Sequence, residues 1–320
     1  MKFKIDGFVL SILAVIGIAY VFPHWGTADS KIPIDTISAI GISLIFFFYG
    51  LKLSPHKLKA GLKNWKLHLL VQLTTFMIFP IIVLAFYPFM QNGDQQTLWL
   101  AFFFLAALPS TVSSSVVMVS MAKGNIPAAI FNASISGIIG IMITPLWLGP
   151  FVKNAMTDFD FTEIYGKLIL QIILPVVIGF LLQRFFGDLA QKYSKRLSLF
   201  DKLIILLIIY KSFAGSFDGN IFSAVSLIDL LVLFLAVLAL FYIVFYVTGL
   251  VARKFKFSPE DQITAQFCGT KKSLVHGTVF SKILFGNMAS LGIILLPIMI
   301  FHATQIFILS IIASIRARQL

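Results

Sequence analysis

Long apolar runs separated by short polar connections dominate the chain. An α-helix rises about 1.5 Å per residue, so about twenty mostly apolar residues cross a hydrocarbon layer about 30 Å thick. Ten runs meet or approach that length: 7–22, 35–53, 67–89, 97–121, 126–152, 162–184, 200–216, 225–252, 263–285 and 289–315. Pro23, Pro55, Pro127 and Pro150 fall at or near their ends, where a residue without an N–H is tolerated. The seventh run is short and interrupted by Lys211. The pattern predicts an all-α membrane protein with ten transmembrane helices.

Two runs are broken by polar residues. The fourth contains Leu108, Pro109, Ser110 and Thr111, then Val112 and the hydroxyls of Ser113, Ser114 and Ser115. Proline at mid-span removes a backbone donor and clashes with the turn before it, so Pro109 marks a break. The ninth run contains Cys268, Gly269, Thr270, Lys271, Lys272 and Ser273, with Gly269 as its flexible point. A division into halves, 1–155 and 156–320, puts each break on the fourth span of its half. Five spans per half is an odd number, so the second half would insert upside down relative to the first. Inverted repeats with discontinuous helices at matching positions are the mark of a secondary transporter whose site lies between the breaks.

Composition agrees with a membrane protein: 59% of the 320 residues are hydrophobic and 12% charged, against about 45–50% and about a quarter in a soluble domain. The net charge of +12 does not indicate nucleic acid, because the basic residues sit in short connections without interleaved aromatics. Lys2 and Lys4, the Lys52–Lys66 connection, Lys123, the Arg184–Lys202 stretch, Arg253–Lys256, and Arg316 with Arg318 all fall on one side if ten helices alternate. Asp29, Asp35, Asp94, Asp158, Asp160, Glu163, Asp218 and Asp229 fall on the other. By the positive-inside rule both termini are cytoplasmic. The apolar start lacks a small-x-small cleavage site, so the first span is read as retained. The single cysteine, Cys268, excludes an internal disulfide. The longest polar stretch, Asp188–Asp201, is read as a connection, and no soluble domain is expected.

Two adjacent lysines at bilayer depth are the most informative chemistry in the chain. A cation there is expensive unless it meets water, a partner or an anionic ligand. An ammonium offers three donors, which could hold the freed carbonyls near Pro109 and the hydroxyls of Ser113, Ser114 and Ser115, or attract an anion. Two ammonium groups side by side repel, which makes one of them a candidate proton carrier. His276, four residues beyond Lys272, would share that proton from the same helix face. Thr270 and Ser273 flank the pair. Asn132 on the fifth span and Gln72 on the third are further polar candidates, and His302 reads as a packing residue. The bland alternative is that the lysines only neutralise helix C-terminal dipoles. No cofactor or metal is implied, since every acidic residue lies outside the predicted membrane core. A Ser115–Lys271 dyad would be needed for an intramembrane enzyme, and no nucleophile turn or orienting acid accompanies it.

Through these segments the chain resembles the bile acid:sodium symporter family. The resemblance runs through Pro109–Gly124, ending in Ala122, Lys123 and Gly124, through Thr144-Pro145 on the fifth span, and through Gly269 on the ninth. Phe47–Leu53 and Phe267–Leu274 are similar to the member-seven-like branch, and the resemblance covers essentially the whole chain. It implies ten helices, a panel domain (spans 1, 2, 6 and 7), and a core domain (3–5 and 8–10) in which the broken fourth and ninth helices cross. It would also imply sodium, but only one of the ligand types carries over. Ser115 matches, whereas the asparagine position holds Val116 and the glutamate position Phe267. Lys271 and Lys272 stand at the glutamine and asparagine positions, and Ala129 and Ala133 at the hydroxyl positions of helix five. The expected function is alternating-access transport of an organic anion without sodium, with proton coupling as an option. Sodium-driven symport and a non-transporting membrane scaffold are the alternatives.

Overall fold

The computed structural model describes residues 7–27, 30, 32–53, 64–90, 93–111, 113–155, 161–220, 223, 226–286, 288 and 290–319. Every regular element among them is a helix. In chain order the α-helices are α1 (Gly7–Val21), α2 (Ile34–Lys52), α3 (Trp65–Leu73), α4 (Phe79–Leu84), α5 (Gly93–Ala107), α6 (Ser113–Met121), α7 (Ile126–Ala155), α8 (Phe161–Leu168), α9 (Leu174–Lys192), α10 (Ser194–Asp218), α11 (Leu227–Lys254), α12 (Pro259–Gly269), α13 (Leu274–Phe285) and α14 (Leu291–Gln319). Among the described residues, six helical stretches are long and apolar enough to cross a membrane: Ile34–Lys52, Trp65–Phe89, Ile126–Val152, Gly166–Lys192, Leu227–Lys254 and Leu291–Ala317. Gly7–Val21 and Gln95–Ala107 are shorter apolar helices. This is an integral membrane protein. Lys2, Lys4, Lys57, Lys59 and Lys63, read above as topological charge, lie outside the described residues.

Two π-helical segments interrupt the helices, and both precede a proline by one residue. Thr74–Ile78 joins α3 to α4 before Phe79-Pro80, and Ile169–Ile173 joins α8 to α9 before Leu174-Pro175. Proline has no N–H to give and its ring crowds the preceding turn; widening that turn relieves the clash. The stretch Asp188–Asp201, expected to be a connection, is helical except at Tyr193, where α9 gives way to α10. Its Gln, Lys, Arg, Leu and Ala residues are good helix formers, so the helices outrun the apolar run that revealed them.

The chain forms two compact units. The first takes residues 1–54, 160–226 and 278–295, and so contains α1, α2 and α8–α10 with the end of α13 and the start of α14. Its densest packing is α2 against α9, where Gly50 and Gly179 lie backbone to backbone; a Cβ on either would strike the other helix. Small residues permit such close approach between membrane helices. The second unit takes residues 55–159, 227–277 and 296–320. Its core is aromatic and aliphatic: Phe79, Phe103, Phe104, Phe241, Phe267 and Phe301 are fully buried. Lys271 and Lys272 are as buried as these phenylalanines, and both helix breaks belong to this unit.

Candidate functional site

The first break separates α5 from α6. The last carbonyls of a helix have no partner within it, and Pro109 removes one donor that could have served them. A tightened last turn serves one of them, Leu105 O accepting from Leu108 N at 3.3 Å. Partners from elsewhere in the second unit serve others: Ala107 O accepts from Thr144 Oγ1 at 2.7 Å, and Pro109 O from Ser273 N at 2.9 Å. Ser110 N donates to Ser136 Oγ at 2.9 Å. The Pro109 ring rests on Gly140 of α7, where a Cβ would come within 2.7 Å of it.

The second break separates α12 from α13 and is held by the first. Cys268 O accepts from Ser110 Oγ at 2.7 Å, and Gly269 O from Thr75 Oγ1 at 3.3 Å. Gln305 of α14 clamps the Lys272 peptide from both sides: its Oε1 accepts from Lys272 N at 2.9 Å and its Nε2 donates to Lys272 O at 2.8 Å. Ser273 then caps α13, its Oγ accepting from His276 N at 3.3 Å.

Lys272 fills the space between these segments. Its Nζ donates to three backbone carbonyls, Thr75 O at 2.8 Å, Ala106 O at 2.6 Å and Leu108 O at 2.8 Å. It also lies 4.2 Å from the centre of the Phe79 ring. Each acceptor is free for a local reason. Ala106 and Leu108 belong to the frayed end of α5. In the π segment, Phe79 N bonds Thr74 O; the next carbonyl in that register, Thr75 O, would need the N–H of residue 80, which is proline. A cation at the C-terminal end of α5 also meets the negative end of its dipole. The arrangement is that of a coordinated monovalent cation, except that the cation is covalently attached.

Lys271 has a different setting. Its Nζ donates to Ser114 Oγ at 2.8 Å, and Thr111 Oγ1 lies 2.8 Å from Ser114 Oγ and 2.9 Å from Ser115 Oγ. This hydroxyl cluster surrounds the first turn of α6, the positive end of its dipole. No carboxylate among the described residues pairs with Lys271. A buried ammonium and a helix N-terminus therefore concentrate uncompensated positive potential in one spot.

The remaining sequence candidates divide. The Ser113 side chain lies outside the described residues. Thr270 Oγ1 turns back to Gln266 O at 2.6 Å and so serves its own helix. His276 does not share a helix face with Lys272: residues 271–273 are not helical and α13 begins at Leu274, so the four-residue spacing has no geometric meaning there. Its Nδ1 instead lies 2.9 Å from Ser273 Oγ. Gln72 and Asn132 are brought together, Gln72 Nε2 donating to Asn132 Oδ1 at 3.2 Å, and Asn132 Nδ2 lies 2.9 Å from His68 Nδ1. That network is separate from the hydrogen bonds of the two lysines. His302 Nδ1 is 3.3 Å from Gln305 Nε2. Sequence reasoning missed Thr75, Phe79, Gln305 and His68. Pro80 beside Thr74-Thr75 was the one available signal, since it predicts a free carbonyl a turn earlier.

The family model of the SBF-like CPA transporter family matches residues 6–318. The chain belongs to this family. Sodium/bile acid cotransporter 7 of Xenopus tropicalis is 30% identical over 318 residues, 97% of this chain and 91% of that protein. The protein of the same name from Rattus norvegicus is 30% identical over 311 residues, covering 96% and 91%. YfeH of Escherichia coli (strain K12), whose name proposes a symporter, is 35% identical over 315 residues, covering 98% and 94%. As a member of this family the chain is a membrane transporter of the bile acid:sodium symporter type and not an enzyme. In a transporter, buried charge at two helix breaks is the natural place to look for the bound species.

Proposed function

We propose that this transporter moves an organic anion by alternating access, and that Lys272 stands in for a coupling cation, so that sodium is not part of its cycle. One observation carries the reading: the Lys272 ammonium is saturated by three carbonyl oxygens from two separate chain segments. Those oxygens are the hard ligands a sodium ion would use, and a tethered cation already holds them. Lys271 takes the other role. Its ammonium, with the hydroxyls of Thr111, Ser114 and Ser115 and the first turn of α6, is suited to the acidic group of the anion. Ligand binding there would supply the negative charge the site lacks.

The reading takes ten transmembrane helices in two inverted repeats, 1–155 and 156–320, with both termini cytoplasmic and a break on the fourth helix of each repeat. The anion could then cross alone or with a proton, since Lys271, unlike Lys272, has donors to spare. The names of the cotransporter 7 relatives favour a second reading, sodium-driven symport.

The test is uptake of radiolabelled organic anions into proteoliposomes with the sodium, pH and voltage gradients set independently. Uptake driven without sodium, and abolished in Lys271→Met, is the expected result. Uptake that requires sodium would sink the tethered-cation reading. A folded protein that moves no anion under any gradient would instead make it a membrane scaffold.

A further inference from the structure

A second pair of lysines lies in the first unit and has no part in the reading above. Lys211 lies within α10, and Lys282 is in the last turn of α13. Both converge on one carboxylate, Asp35 in the first turn of α2. Lys282 Nζ lies 3.1 Å from Asp35 Oδ1 and donates to the Asp35 carbonyl at 3.3 Å, while Lys211 pairs with Oδ2. The Asp35 side chain is 67% exposed, yet those of Lys211 and Lys282 are only 29% and 17% exposed. The carboxylate is thus the most exposed of the three side chains, and its single charge neutralises only one of the two lysines.

The register of the helices adds a polar group beneath. α2 and α10 run antiparallel, with Asp35 against Lys211 and, two turns on, Gly41 against Ile204. Ser38 falls between these contacts on the same face, is fully buried, and its hydroxyl has no hydrogen-bond partner among the described residues. A buried hydroxyl left unpaired is costly, and this one lies one helical turn along α2 from Asp35, on which both lysines converge.

We propose that Lys211, Lys282 and Ser38 form a second anion site, selective for a carboxylate, and that Asp35 is its tethered occupant. An ion pair as exposed as that of Asp35 is weakly held, so an incoming carboxylate displaces it and reaches both ammonium groups and the hydroxyl. The tether gives Asp35 an effective concentration of about millimolar or more, which masks the site against dilute ligand. The site stands on the first unit alone and does not depend on the role assigned to Lys271 or Lys272.

The experiment is acetate titration by calorimetry on the full chain in lipid nanodiscs, at constant ionic strength. Every protein carries Lys271→Met, so that binding at the helix breaks is silenced. Adding Asp35→Asn is expected to tighten acetate binding about tenfold, by removing the internal competitor. Adding Lys211→Met or Lys282→Met to that variant is expected to abolish the gain, and Ser38→Ala to weaken binding about threefold. Sulfate, with a different oxygen geometry, is expected to bind at least fivefold more weakly than acetate. Acetate binding no tighter in Asp35→Asn than in its parent, or unchanged by both lysine substitutions, overturns the proposal. Equal sulfate binding overturns the carboxylate selectivity. Asp35→Ala empties the site equally well; if neither Asp35 variant folds, the parent's weaker acetate binding must itself fall about tenfold in Lys211→Met.

Discussion

Replacing Lys272 by methionine shortens the side chain by one atom and removes its charge and all three donors. Thr75 O, Ala106 O and Leu108 O would then face one another across an apolar gap with no hydrogen. Hydrogen bonds to a charged group are worth about 1.5–3 kcal/mol each, and relief of the buried ammonium's desolvation offsets part of their sum. Each carbonyl left buried and unpaired costs about 1–3 kcal/mol, so three of them, less that relief, come to about 3–5 kcal/mol net. At about 2–4 °C per kcal/mol for a domain of moderate size, melting falls by roughly 10 °C. Lys271→Met is the internal control. Its ammonium has one protein hydrogen bond, to Ser114 Oγ, and no counter-charge, so the bond lost is balanced by the charge removed. Its stability should stay within about 1 kcal/mol of the parent. Lys272→Arg should not rescue, because a planar guanidinium fork cannot aim at three carbonyls gathered around one point. The assay is thermal unfolding of purified protein in detergent, followed by tryptophan fluorescence. If the two methionine variants melt within 2 °C of each other (about the shift of 1 kcal/mol or less), the division of labour between the lysines is wrong.

Thr144→Val, nearly the same shape, leaves Ala107 O unpaired and should cost about 1–3 kcal/mol, read in the same melting assay. Gln305→Leu removes both bonds of the clamp on the Lys272 peptide; hydrogen exchange should rise selectively at residues 271–273, with α14 still protected. Gly140→Leu drives a side chain into the Pro109 ring and should lower expression of folded protein, whereas the same change at Gly17, which has open space, should be neutral.

Much of the local structure was legible in the residues. Apolar runs announced a membrane protein, Pro109 with its hydroxyls marked one break, and Gly269 before two lysines marked the other. These are short-range effects: a missing N–H, a missing Cβ, a charge at the wrong depth. The extent of α9 and α10 was less visible, because helix propensity continues where hydropathy stops. The spacing of Lys272 and His276 misled for a related reason: periodicity applies only within a helix, and the break lies between them.

What only the tertiary structure decided is which lysine does what. Side by side in sequence, Lys271 and Lys272 are equivalent. The acceptors that saturate Lys272 lie on residues 75, 106 and 108, and the amide that clamps its backbone on residue 305. A carbonyl oxygen has no residue code: every residue carries one, and whether it is free depends on the helix that ends or widens around it. The chain by itself therefore determines that two cations are buried at a helix break. The fold determines that one is satisfied by backbone oxygen while the other faces hydroxyls and a helix N-terminus.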